Sequence, residues 1–142
     1  MNLSEQIKSM ILSGIVEEQH RKIGVEIESF YYEKGDLSRL ALENKNKYSA
    51  IDLLSDINKI AQANQDTHSY SLEPGGQLEW ASSPSISLWD ILNEYSKNVL
   101  AQKELCVNNA IDIGYFSVEP ISNPLDIVLI NSNKRSEEHT SE

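Results

Sequence analysis

The chain has 142 residues, enough for one domain with a core of its own, and carries a formal net charge of −10. That acidic balance argues against nucleic acid and anionic membrane surfaces as partners. No apolar run approaches the roughly 20 residues of a membrane-spanning helix, the first residues lack the apolar block of a secretory leader, and the one cysteine, Cys106, permits no internal disulfide; a reducing cytoplasm is the expected setting.

In chain order, Asn2 to His20 is expected to be a helix, with Ser4 as its cap and Ile7, Met10, Ile11 and Ile15 at helical spacing. Gly14 weakens it by about 1 kcal/mol relative to alanine, and its expected role is packing. Lys22 to about Glu33 is rich in β-branched and aromatic residues and predicts a strand, closed by the turn signal Lys34-Gly35-Asp36. The run Leu37 to Tyr48 is ambiguous. Ser49 opens a second helix, with Asp52 three residues on in the manner of a capping box and Ile51, Leu53, Leu54, Ile57 and Ile60 as its apolar stripe, ending near Asn64.

Tyr70 to Trp80 predicts a strand that starts around His68 and is interrupted by Pro74-Gly75-Gly76. Ser87 is expected to cap a third helix, with Asp90 at the third position and Leu88, Ile91, Leu92, Tyr95, Val99 and Leu100 as its buried face, running to about Ala110. Trp89 and Tyr95 are expected in the core. Ile111 to Phe116 is a short β-like run, and Pro120 and Pro124 bracket a loop before the apolar Ile127-Val128-Leu129-Ile130. Cys106 is expected to be a small buried helix residue. The fold class that follows is α+β: a mostly antiparallel sheet with helices packed on one face.

Two strands carry the chemistry. In a strand, side chains alternate between faces. Ile23, Val25 and Ile27 then point one way, and Gly24, Glu26 and Glu28 the other; likewise Leu72, Leu78 and Trp80 oppose Glu73, Gln77 and Glu79. Carboxylates two residues apart stand roughly 6.6 Å apart along a strand, close enough to converge on one cation or a pair. If both strands lie in one sheet, Glu26, Glu28, Glu73 and Glu79 face a common space. Uncompensated, they would repel one another and raise one another's pKa; a hard divalent cation such as magnesium, which accepts carboxylate oxygens and bridges to phosphates, resolves the conflict. An ordinary half-buried strand with a polar outer face remains open on pattern alone. His20, His68 and His139 show no metal-ligand spacing. His68 is expected to be a surface turn residue, although its place beside the central strand would let it line the site. No phosphate-binding loop of the Gly-x-x-x-x-Gly-Lys-Ser/Thr kind is present.

Ile23-Gly24-Val25-Glu26-Ile27-Glu28, followed by Tyr70-Ser71-Leu72-Glu73-Pro74-Gly75-Gly76-Gln77-Leu78-Glu79, resembles glutamate–cysteine ligase of the plant and proteobacterial type. In that family a Gly-x-Glu-x-Glu strand precedes a Ser-Leu-Glu-Pro-Gly-Gly-Gln-Phe/Leu-Glu stretch. Ala81-Ser82-Ser83-Pro84 is similar to the small-residue loop that follows, and Gly114-Tyr115-Phe116-Ser117-Val118-Glu119-Pro120 is loosely similar to the family's later Gly-x-Gly-Phe-x-Pro turn. The likeness runs from about Lys22 to Pro120. The family often has a His where this chain has Ile27, a change that does not disturb the carboxylates, and the second glycine of the later turn is missing here, with Ser117 or its neighbour in its place.

The resemblance implies part of a glutamine-synthetase-like carboxylate–amine ligase fold. It implies an enzyme that uses ATP as a substrate and Mg2+ as a cofactor to join the γ-carboxylate of L-glutamate to the amine of L-cysteine through an acyl phosphate, the first step of glutathione synthesis. It assigns Glu26, Glu28, Glu73 and Glu79 as metal ligands, Gln77 as a substrate or supporting hydrogen-bond partner, and Gly75 and Gly76 as points where backbone approaches the ligand. A ligase with another amine substrate, or a non-catalytic magnesium-binding module, would fit the same residues. Arg135 to Glu142 matches the in-frame translation of a common short-read sequencing adapter. The expectation is therefore that residues 1–134 are the N-terminal part of one ligase domain, inactive alone, with an unpaired sheet edge and exposed apolar surface, and that 135–142 is a non-native tail.

Overall fold

The computed structural model describes residues 2–35 and 37–130; Asp36 of the expected turn and the tail from Arg135 lie outside the described residues. Four strands, β1 (Glu26–Glu33), β2 (Ser69–Leu72), β3 (Leu78–Ala81) and β4 (Ile111–Gly114), form one sheet in the order β2-β3-β1-β4. All three pairings are antiparallel. Among the described residues three α-helices accompany the sheet: α1 (Leu3–Ser13), α2 (Ala50–Asn64) and α3 (Leu88–Asn109). The class is thus α+β, and among the described residues no helix is long and apolar enough to cross a membrane.

Period-2 alternation sets the two faces. Ile27, opposite Trp80, and Ser29, opposite Leu78, point to one side with Tyr31 and Ile111. There α2 contributes Leu53, Ile57 and Ala61, and α3 contributes Ile91, Leu105 and Cys106. Trp80, Leu78, Leu53 and Ile57 are fully buried, and each such side chain contributes roughly 1.5–3 kcal/mol through the apolar surface it removes from water. The helix α2 begins as its sequence predicts: the Ser49 hydroxyl accepts from Asp52 N at 3.3 Å, and the Asp52 carboxylate accepts from Ser49 N at 3.0 Å.

Several expectations are corrected. The first helix stops at Ser13, with a separate short 3₁₀ turn at Glu18–His20; its cap is Asn2 rather than Ser4, because Asn2 forms a capping box with Glu5, and it buries no residue against the domain. The stretch from Tyr70 to Trp80 is a β-hairpin, not one interrupted strand: the Pro74-Gly75-Gly76 segment reverses the chain, so Leu72 pairs with Leu78. His68 shares the parity of Tyr70, so it is buried in the core rather than at the surface, its ring edge-on to Tyr70 and Trp80 with centroids 5.2 and 5.9 Å away. Ser87 makes no side-chain cap.

The face of α3 also differs. Its inward line is Ile91, Asn98, Gln102, Leu105 and Cys106, whereas Leu88, Leu92, Leu100 and Trp89 are exposed. Two stripes of α3 were apolar enough to serve, and the buried polar pair settles the choice. Tyr70 Oη donates to Asn98 Oδ1 at 2.9 Å, and Gln102 Nε2 donates to the same oxygen at 2.7 Å. Tyr95 packs against Trp80 as expected, at 5.6 Å.

Candidate metal centre

The second face of the sheet carries the acids. β1 and β3 are in the register that sets Glu28 directly opposite Glu79, and β2 sets Ser71 opposite Glu79 on its other side. Directly paired side chains share a face, and the Ser71 hydroxyl donates to Glu79 Oε1 at 2.9 Å. Beyond Leu72 and Leu78 the hairpin closes with two backbone bonds, Glu73 N to Gln77 O at 2.9 Å and Gly76 N to Glu73 O at 2.7 Å. This is a three-residue loop in which a turn is followed by a residue in the left-handed region. Pro74 suits its first position because its ring fixes φ. Gly76 supplies the left-handed one, with φ +81°. The bond to Gln77 continues the ladder, so Glu73 and Gln77 return to the same face as Glu79.

Carboxylate oxygens of Glu28, Glu73 and Glu79 all lie within 4.8 Å of one another, with Glu28 exposed and the other two half-buried. Three of the four acids singled out from sequence therefore meet. Glu26 stands one pair further along β1's open face, opposite Ala81, and is outside this group. The donor set is all oxygen, as magnesium prefers. Ligands 2.0–2.1 Å from an octahedral ion lie no more than about 4.2 Å apart. Small rotations of three flexible side chains would close the group to that size, leaving positions for water or phosphate oxygens. The residues fit the ion.

Gly75 and Gly76 both belong to the loop. A side chain at Gly75 would place its Cβ 2.6 Å from Gln77 Oε1, so glycine there makes room for the amide. Gln77 Oε1 is itself buried with no hydrogen-bond partner among the described residues. A groove of about 1450 Å³ opens beside the loop, lined in part by Arg39, Leu42, Leu54, Leu72, Gly75 and Leu129.

Sequence reasoning missed two residues of this face. Arg39 lies in the run left ambiguous, where its backbone bridges to Tyr32 of β1. Its guanidinium lies 5.1 Å above the Phe30 ring, donates through Nη2 to Gly75 O at 2.6 Å, and pairs through Nε with Glu119 Oε2 at 3.4 Å. Glu119 in turn accepts from Tyr32 Oη at 3.1 Å and from the backbone N–H of Ile121 and Ser122. Burial first, and the Glu119 carboxylate second, push the Tyr32 hydroxyl up to about 12, so it remains a donor across the neutral range. A single arginine in the otherwise uncharged run Leu37 to Leu42 was the available signal, but no local pattern names its partners.

His68 does not line the face: it lies on the opposite side of the sheet, its Nε2 4.0 Å from Asp66. Cys106 is buried as expected, and burial pushes its thiol up to about 11.

No protein-family model matches the chain, and no curated protein matches it.

Proposed function

We propose that the chain is the N-terminal part of the catalytic domain of an ATP- and magnesium-dependent glutamate–cysteine ligase, of glutamine-synthetase-like architecture, acting in the cytoplasm. The observation that supports this reading is the meeting of Glu28, Glu73 and Glu79 on the open face of the sheet. These acids come from two separate stretches, the same two that carry the resemblance.

The chemistry asks for charge neutralisation more than for a protein nucleophile. Forming a γ-glutamyl phosphate transfers the terminal phosphoryl group of ATP to the substrate carboxylate, and cysteine's amine then displaces phosphate to form the amide. Phosphoryl transfer is governed by positioning and by compensation of negative charge. A bound magnesium ion would supply that compensation. Glu28, Glu73 and Glu79 would hold it, with Glu26 in reach of a second ion further along β1. Gln77 would offer its amide to a substrate, and the small loop at Gly75 and Gly76 would let backbone approach the ligand. No residue of this chain is assigned as a general acid or base.

The first test is binding of Mn2+, a paramagnetic substitute for Mg2+, followed by electron paramagnetic resonance. The wild-type chain is expected to bind, with E73Q and E79Q each weakening affinity at least tenfold while the circular dichroism spectrum is retained. In the enzyme expressed from the complete reading frame, cysteine should stimulate ADP release in the presence of glutamate, and E73Q should cut turnover severely. Release that responds to other amines and not to cysteine would replace cysteine as the substrate. Reading the source locus past the codon for Lys134 tests the relation to a longer ligase; a genuine stop directly after Glu142 would overturn it.

A further inference from the structure

The hydrogen-bond pattern around the loop points to Arg39 as a positioning residue that holds the Glu73–Gln77 loop in the shape that completes the carboxylate group, with Glu119 holding Arg39 in turn. This inference rests on the metal-centre reading given above.

Arg39 ties together three parts of the chain that are distant in sequence. Its backbone is fixed to β1 by the bridge to Tyr32 and by the bond from Leu40 N to Tyr31 O at 2.8 Å. Residues paired across an antiparallel bridge share a face, so its side chain crosses the open face above Phe30. From there it reaches the carbonyl of Gly75, midway between Glu73 and Gln77, and the carboxylate of Glu119 in the later turn. The Arg39 and Glu119 side chains are only 13% and 9% exposed, so the geometry is held by packing as well as by charge. A planar guanidinium can donate in two directions while stacking on a ring; a lysine ammonium is a compact point charge without that fork.

The sign of the charge separates two roles. A bare cation beside a magnesium site would repel the ion, and its removal would tighten binding. Arg39 is compensated by Glu119, which leaves its contribution as a directed donor to the loop. Gln77 Oε1, buried without a partner among the described residues, lies in the loop so held. A flexible loop would let that oxygen turn to solvent, because an unmet buried acceptor is costly.

The experiment measures Mn2+ affinity by electron paramagnetic resonance for wild type, R39K, R39Q, E119Q and E73Q/R39Q, alongside each variant's thermal midpoint. R39Q and E119Q should weaken Mn2+ binding at least tenfold at temperatures where they are folded, and R39K should recover only part of the loss. In the E73Q background, R39Q should add less than twofold, because its effect passes through Glu73. Tighter binding in R39Q would show that Arg39 acts as an opposing charge and overturn the inference. Unchanged affinity with a lowered midpoint would assign a purely structural role and overturn it as well, as would unfolding of both R39Q and R39K or a full additive loss in the double variant. Absence of Mn2+ binding by wild type would instead remove the metal centre, and this inference with it.

Discussion

Asn98→Ala tests how the polar pair inside the core orients α3. Asn98 and Gln102 are almost fully buried, at 2% and 1% exposure, and one oxygen, Asn98 Oδ1, accepts from both Tyr70 Oη and Gln102 Nε2. Truncation removes that acceptor and strands two donors. Each unmet buried donor costs about 1–3 kcal/mol, so the substitution is expected to destabilise by about 2–6 kcal/mol, a large part of the ~5–15 kcal/mol that holds a typical domain together. Tyr70→Phe deletes one donor and leaves Asn98 still satisfied by Gln102, and should cost about 1 kcal/mol. Urea unfolding followed by circular dichroism and by tryptophan fluorescence, which reports on buried Trp80 as well as exposed Trp89, measures both. The order is the decisive result: Asn98→Ala must lose clearly more than Tyr70→Phe at an unchanged urea slope. Equal losses would refute the shared-acceptor argument.

The remaining expectations concern α1 and pH. Removing residues 2–16 should change stability by less than about 0.5 kcal/mol, since α1 buries nothing against the domain; a large fall in the thermal midpoint would show that the helix docks. Stability should decline as pH rises from about 9 to 11. The Cys106 thiol, ordinarily near 9.0, is pushed up to about 11 by burial, so in that interval the unfolded chain has lost a proton that the folded chain keeps. The buried hydroxyls of Tyr31 and Tyr70 are raised also, again chiefly by burial, which steepens the decline at the alkaline end. Cys106→Ser should flatten the thiol's share of the slope in pH-dependent urea titrations; an unchanged slope would remove Cys106 as its source.

Much of this molecule is written in short-range pattern. The Ser49–Asp52 capping box, the alternation along β1 and the side of the sheet on which Glu28 and Glu79 lie all follow from neighbours within a few residues. Such signals depend on backbone geometry that repeats every 2 or 3.6 residues, and they survive whatever the rest of the chain does. The acids of the candidate centre were legible for that reason. Arg39 and Glu119 were not, because an ion pair spanning 80 positions leaves no periodic trace.

The tertiary structure decided what periodicity leaves degenerate. An interrupted strand and a hairpin share the same alternation, and the loop bonds between Glu73 and Gln77 select the hairpin. The buried Tyr70–Asn98 bond turned one of two available stripes of α3 inward and left Leu88, Leu92 and Trp89 outside. Register likewise decided which carboxylates meet: opposite Glu79 stands Glu28, while Glu26 faces Ala81. A shift of one residue would invert the faces of a strand and one of two would exchange those partners. The choice rests on Leu78 and Trp80 packing beneath α2 and α3, a long-range burial that no local stretch of sequence contains.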